Sequence, residues 1–400
     1  MSLHVGLREM YKAEGSQSFI GKMRDILKDE KELRFITQKF SLRELAEAVN
    51  FPIRRAEWER FREQPTLVAT MRESVDFTAF PIIAGEILAK GVFIPAYTAV
   101  PAMSDKCIGL EMNETKDPLR VPGWTAISEL KLRMPGEDYD EAFIGEKYVQ
   151  VKMLEEAQNA GPWGRRISLK EEDILLDQTN TLKDQARGLG QAAADLREKE
   201  FFYRLSDATG WKGYYPAGTQ TAPYSAGTSA DTTGMTPRYT LYGTNALAEY
   251  TDVQNADTYL AAQTNERGDP IHIIATSLIV PRALATKARA TRRQVLQDSK
   301  KLPGQVVPTA FYGGVGQDEL EDFEIVVTPW LDKQSASTWY WGAPRLSWVR
   351  NTFYAPELRA ETLTPSDYEY RKNDTIFVAR ARAWFRSICR DYRFVVQNTA

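Results

Sequence analysis

The chain has 400 residues, 43% of them hydrophobic and 26% charged, with a formal net charge of −3. That is enough apolar material for two or three packed units, and so balanced a charge excludes a global basic field drawing the chain onto nucleic acid. Two cysteines (Cys107, Cys389) and two histidines (His4, His272) exclude a disulfide framework and a multi-cysteine metal site.

Residues 1–76 are dense in charge of both signs, too early in the chain for a signal peptide. Phe19, Ile20, Met23, Ile26, Leu27 and Leu33 recur at helical spacing, and Ser41-Leu-Arg-Glu44 is a capping box opening the short helix SLRELAEAV. The stretch reads as a helical arm. Phe80 to Ala102 is an apolar run punctuated by Gly and Pro, which reads as strand within a region spanning 77–120. Glu86 and Lys90 interrupt it, so it does not read as a membrane span.

Residues 126–153 predict a long hairpin. Leu130, Leu132 and Met134 alternate with Lys131 and Arg133, and Val149, Val151 and Met153 alternate with Gln150 and Lys152. Between them lies the turn-prone, acidic PGEDYDEA, which holds Glu137, Asp138, Asp140 and Glu141. An isolated two-stranded hairpin is marginal in water, so its apolar face implies a neighbour, either the chain's own core or another subunit.

Gly188-Leu-Gly190-Gln-Ala-Ala193 matches the G-x-G-x-x-A dinucleotide fingerprint. The motif needs a buried strand before it and a free helix N-terminus after it. What precedes it is polar and leucine-spaced: Leu175, Leu182, Leu189, Leu196 and Tyr203 recur at sevens, with Ala186 and Ala193 beside them. This predicts one long helix from Asp173 to Asp207, roughly 50 Å at ~1.5 Å per residue, opened by a Ser168/Glu171 capping box. The two glycines then sit mid-helix and mark a bend or the close approach of another backbone.

Residues 208–237, rich in Gly, Ser, Thr, Pro and Tyr, read as an irregular loop. PIHIIATSLIV (270–280) reads as a buried strand in which His272 is a structural histidine. Pro281 starts the helix RALATKARATRRQVLQ, and FEIVVT (323–328) is a second buried strand. Gly313-Gly-Val-Gly316 lacks the Lys-Ser/Thr of a phosphate loop. In the closing TIFVARARAWFRSICRDYRFVVQN, alternation places Arg380 and Arg382 on one strand face.

The residue types that do chemistry are sparse. No metal-binding motif occurs, neither histidine sits by a nucleophile, and Glu137-Asp138 and Glu171-Glu172-Asp173 occupy places where carboxylates serve solubility and the helix dipole. The reading is therefore non-enzymatic, with no catalytic, cofactor-binding or metal residues.

The order of elements resembles the major capsid proteins of tailed phages, of the Hong Kong 97 type, and more closely the major head subunits of Mu-like phages. The resemblance is carried by PGEDYDEAFIGEKY, ISLKEEDILLDQTNTLKDQARGLGQAAADLREKEFFYRLSD, GDPIHIIATSLIVPRALATKAR, FEIVVTPWLDKQSASTWYWGAP and FVARARAWFRSICRDYRFVVQN, covering roughly residues 120–400. It implies an α+β, Hong Kong 97-like fold: an N-terminal arm (1–76), an arm and peripheral strand region (77–120), an extended hairpin loop (121–166), a peripheral domain with its spine helix (167–267), an axial domain (268–345) and a return to the peripheral domain (346–400). It implies a shell subunit enclosing double-stranded DNA, assembled in the host cytoplasm into a virion capsid. Its partners would be copies of itself as hexamers and pentamers, a portal, decoration or scaffolding proteins, and DNA contacted weakly; no cofactor and no membrane are implied. A nanocompartment shell of the same fold, enclosing cargo enzymes, is the alternative, and an oxidoreductase resting on the glycine motif a remote one. The residues expected at subunit interfaces are Leu130, Leu132, Val149 and Val151 along the hairpin, Glu137, Asp138, Asp140 and Glu141 at its tip, and Arg165, Arg166, Arg380 and Arg382 as the receiving cations, with Arg386 a further candidate.

Overall fold

The computed structural model describes residues 10–11, 16–39, 41, 45–46, 49, 79–116, 119–122, 148–151, 159–170, 173, 176, 179–211, 241–242, 245–263, 270–298, 323–363, 375–391 and 393–399. The chain divides into two compact units, each built from three separate stretches. The hairpin tip, Leu130, Leu132, His4, the loop from 212 onward and Gly313–Gly316 lie outside the described residues.

The first unit takes residues 1–101, 162–196 and 354–384. Helices Ser16–Ile26 and Glu30–Lys39 form where the apolar spacing predicts them; they bury Phe19, Met23 and Ile36, and the turn between them buries Leu27. Leu45 N donates to Ser41 O and Val49 N to Leu45 O, the i to i+4 pattern of the short helix expected there.

The run from Phe80 is helical rather than extended. Helix Ala79–Leu88 passes through a π-helical segment, Ala89–Phe93, into helix Ile94–Ala99. Pro81 falls in the first turn of its helix, where a missing N–H costs little, and Pro95 follows directly on the π-helical segment. Lys90 Nζ lies 3.2 Å from Glu86, one turn away. These are helix signals, and an apolar run of this length exceeds an ordinary strand. By length and composition alone Ala79–Ala99 could cross a membrane, but its Phe80, Ile83, Ile87 and Phe93 lie in the core of this unit.

Against that core lie strand Trp163–Lys170 and the antiparallel strand Thr375–Cys389, with Ile167 facing Ala379 and both buried. Ser168 sits inside the first of these strands, opposite Val378, so it cannot cap the long helix. That helix starts later than expected and runs Thr179–Leu205, 27 residues. Ile167 and Leu169 are buried while Arg166, Ser168 and Lys170 are exposed, a period of two that outweighs the capping-box spelling.

The second unit takes residues 102–161, 197–353 and 385–400. Its sheet has five strands in the order Leu241–Tyr242, Val395–Asn398, Trp339–Gly342, Ser277–Pro281, Glu324–Thr328. The last two are parallel and joined through helix Ala285–Asp298, while Trp339–Gly342 is antiparallel to both its neighbours. Both faces are covered. Leu278, Val280, Trp339, Trp341 and Val396 pack against Val253, Ala256 and Leu260 of helix Tyr250–Ala261, and against Leu284 and Ala288. Ile279, Tyr340 and Val395 point the other way, to Cys107, Phe201, Phe202, Leu205 and Trp348. Burial on both sides explains why these strands are continuous apolar runs. Gly342 has φ +146°, and a Cβ there would collide with Phe394 O. The expected strand at 270–280 is shorter than its apolar spelling: the continuous strand is Ser277–Pro281, and His272 is exposed outside it.

Candidate assembly surface

The glycine motif is resolved by position. Gly188 and Gly190 both lie inside helix Thr179–Leu205, where their N–H groups belong to helical turns and cannot cradle a phosphate. Gly188 is exposed, with nothing within 4 Å of where its Cβ would be. Gly190 is buried, and a Cβ would lie 2.5 Å from Phe93 O and 2.9 Å from Ala96 Cβ. One glycine admits a neighbouring backbone; the other is a bare surface position.

Of the expected interface residues, Arg165, Arg166, Arg380 and Arg382 are brought to one pair of strands. Arg166 stands directly opposite Arg380, and Arg165 opposite Ala381. Directly paired residues share a face, so Arg166 and Arg380 are together and Arg165 projects from the other side of the sheet. Arg386, farther along the same strand, is buried at 1% exposure and closed to an incoming partner.

The Arg380 face is a mixed ladder. Arg380 lies 3.0 Å from Glu361, and Arg382 Nε donates to Glu357, which Arg359 also reaches at 3.2 Å. The Arg382 guanidinium stacks over the Tyr354 ring at 4.4 Å, and Tyr354 lies 5.9 Å from Trp384. On this face Arg359, Arg380 and Arg382 meet the carboxylates of Glu357 and Glu361, and Arg166 stands opposite Arg380. Arg380 remains 55% exposed.

The hairpin is described only at its base. Val149 and Val151 belong to strand Tyr148–Val151, which pairs antiparallel with Leu119–Pro122, Val121 facing Val149 and Leu119 facing Val151. Leu119 and Val121 are buried. The described pairing lies at Leu119–Pro122, upstream of the 126–134 run, which is outside the described residues. The midpoint of this register in the sequence is Pro135, within PGEDYDEA.

Charged residues that spacing alone did not single out are buried in the second unit. Ser104 donates to Glu198 from both its hydroxyl (2.7 Å) and its N–H (2.9 Å), and Arg350 donates to Ser104 Oγ and to Asp105. Burial pushes the Glu198 carboxyl above the ordinary carboxylate range, while the Ser104 hydrogen bonds pull against it. Cys107 and Cys389 are free and buried, and burial pushes both thiols well above their usual range. Among the described residues no group of three His, Cys, Asp or Glu could hold a metal ion.

A family model described as phage capsid protein matches residues 155–398, more than half of the chain. No curated protein matches the sequence. Among solved structures, the virus-like particle from Pyrococcus furiosus is similar at 9% identity and a TM-score of 0.44, over 78% of this chain and 98% of that one. The mature capsid of bacteriophage PhiM1 is similar at 10% identity and a TM-score of 0.41, over 75% and 87%. The procapsid of satellite phage P4 is similar at 9% identity and a TM-score of 0.36, over 76% and 96%.

Proposed function

Since this chain belongs to the phage capsid protein family, we propose that it is the major capsid subunit of a tailed phage, assembling with copies of itself into an icosahedral shell around double-stranded DNA. The family match over residues 155–398 carries this reading. In it the subunit has the Hong Kong 97-type fold, catalyses no reaction, and is assembled in the host cytoplasm for the virion. Hexamers and pentamers are the units of the shell, and a portal and decoration or scaffolding proteins are its further partners.

Function here is geometry and summed interface energy. The acidic tip residues Glu137, Asp138, Asp140 and Glu141 of one subunit dock on the Arg166, Arg380 and Arg382 face of another, with Leu130, Leu132, Val149 and Val151 burying their side of the hairpin. The clustering of these arginines on one strand pair, with Arg380 still largely exposed, supports the pairing, and Arg holds carboxylates by parallel hydrogen bonds. Each exposed pair contributes only ~0–1 kcal/mol. A closed shell repeats the contact in every subunit, so assembly senses the sum. A net charge of −3 suits a container whose contents must not be gripped tightly.

Expression of the full chain with electron microscopy of the product tests the reading. Closed particles some tens of nanometres across are expected. A small soluble oligomer under all assembly conditions would exclude it, and a shell enclosing protein cargo would favour a nanocompartment instead.

A further inference from the structure

The helix of the second unit that links its two parallel strands carries an uncommon charge pattern. From the 3-10 turn Arg282–Leu284 into helix Ala285–Asp298 come Arg282, Lys287, Arg289, Arg292 and Arg293, with no carboxylate before Asp298. Leu284, Ala285, Ala288 and Thr291 are buried, which fixes the inward side. At roughly 100° per residue Arg289 and Arg293, one turn apart, share the outward side of the α-helix, and Arg282 precedes them in the 3-10 turn, the three spanning a row about 16 Å long. All three are exposed, as is the flanking Lys287, whereas Arg292 leans on the Phe323 ring at 5.8 Å.

Among the described residues, Arg282, Lys287, Arg289 and Arg293 have no ion-pair or hydrogen-bond partner for their side chains. Asp332 is close, but it accepts from the backbone N–H groups of Arg282 and Ala283, at 3.2 and 3.1 Å. The contrast with Arg380 and Arg382 is direct, since both of those already hold a glutamate. Between the cations the surface exposes only Ala283, Thr286 and Ala290. Protein partners bind through aromatic and large apolar anchors, and among the described residues from Arg282 to Arg293 none is exposed. A single-signed row of guanidinium groups over small residues fits a regular polyanion approaching closely.

We propose that the row of Arg282, Arg289 and Arg293, with Lys287 at its flank, contacts phosphates of double-stranded DNA. The proposal rests on the reading of the chain as a subunit of a DNA-containing shell. Contacts to phosphate position a duplex without reading its sequence, so the interaction is weak, salt-sensitive and indifferent to base order.

The test uses the full chain and the variant R282Q/R289Q/R293Q, with folding followed by circular dichroism and particles by electron microscopy. Binding of two unrelated duplexes of about 30 base pairs is measured by fluorescence anisotropy over a range of salt. Each arginine removed should lower the slope of log affinity against log salt by about 1. The triple variant should lose about tenfold or more in affinity at about 50 mM salt, equally for both duplexes. The single variant R289Q, a milder change, should lose about one third of that slope. Unchanged affinity and slope in a variant that still forms particles would overturn the proposal and leave the shell reading standing. Unchanged DNA binding with a raised assembly concentration would assign the row to an acidic protein segment and likewise overturn it. Salt-dependent binding through the row by a chain that never forms particles would support the contact and sink the shell.

Discussion

Glu200 and Arg204 lie one helical turn apart, both fully buried, with Arg204 Nε donating to Glu200 Oε1 at 2.5 Å. The same carboxylate accepts from the Ser387 N–H at 2.8 Å and from its hydroxyl at 2.6 Å. Three donors on one carboxylate tie helix Thr179–Leu205 to strand Thr375–Cys389 within the second unit. Glu200→Ala removes the carboxylate paired with a buried guanidinium and should cost about 3–5 kcal/mol. Glu200→Gln, which keeps the shape, should cost less, and the double change E200L/R204M should recover part of the loss although Ser387 stays unsatisfied. Urea unfolding midpoints give the ranking; an Ala variant as stable as the parent would show the pair to be dispensable.

The two glycines of the G-x-G-x-x-A motif should respond oppositely to one methyl group. Gly188→Ala fills open space on an exposed helix position and should stabilise by about 1 kcal/mol. Gly190→Ala drives a Cβ against Phe93 O and Ala96, so the helix must shift, and the melting temperature should fall. Equal effects at both positions would mean that the contact at Gly190 is not tight. A dinucleotide site would instead lose ligand at both.

Where the sequence was legible, one face of an element dominated its pattern. Strand Thr375–Cys389, the helix after Pro281 and the mid-helix placement of Gly188 and Gly190 are of this kind. The pattern misled where both faces are buried. Phe80–Ala99 has no polar face to announce its period, and only the spacing of Glu86 and Lys90 betrays the helix. Along helix Thr179–Leu205 the buried side turns from Leu182 and Ala186 to Glu198, Phe201 and Leu205, so a stripe drawn at sevens follows only its first half. Spacing does not single out Glu198, Glu200 and Arg204, because the hydroxyl partners Ser104 and Ser387 are distant in sequence. For the candidate surface, alternation put Arg380 and Arg382 on one face, but the Arg165/Arg166 split needed the register, and so did Glu357 and Glu361 as their partners.

Glu198 gives a pH signature. Its carboxyl titrates above the ordinary range because burial disfavours the charge, so the folded state holds a proton that the unfolded state has released. Stability contributed at this site is therefore greatest below the ordinary glutamate range. It falls as pH rises through the raised value, then levels once Glu198 is ionised in both states. Glu198→Gln mimics the protonated form and removes that limb. The stability of the parent minus that of E198Q should decline with rising pH across this window. A difference independent of pH would mean that Glu198 titrates normally.

The last prediction concerns assembly and follows from the competition on the Arg380 face. Glu361 and Glu357 already occupy Arg380 and Arg382, so an incoming acidic tip must share or displace them. Replacing the tip carboxylates, E137Q/D138N/D140N/E141Q, removes four charges within five residues and should raise the protein concentration needed for shell assembly. Replacing the resident carboxylates, E357Q/E361Q, leaves the arginines available and should lower that concentration. Both shifts should be largest at low salt, because the charges are exposed and screening at high salt weakens them together. Light scattering against concentration measures the threshold, with circular dichroism confirming the fold. If the resident glutamates instead hold the arginines in their docking geometry, E357Q/E361Q would raise the threshold, and the competition would be excluded. If neither set of changes moves it at low salt, the tip does not dock on this face.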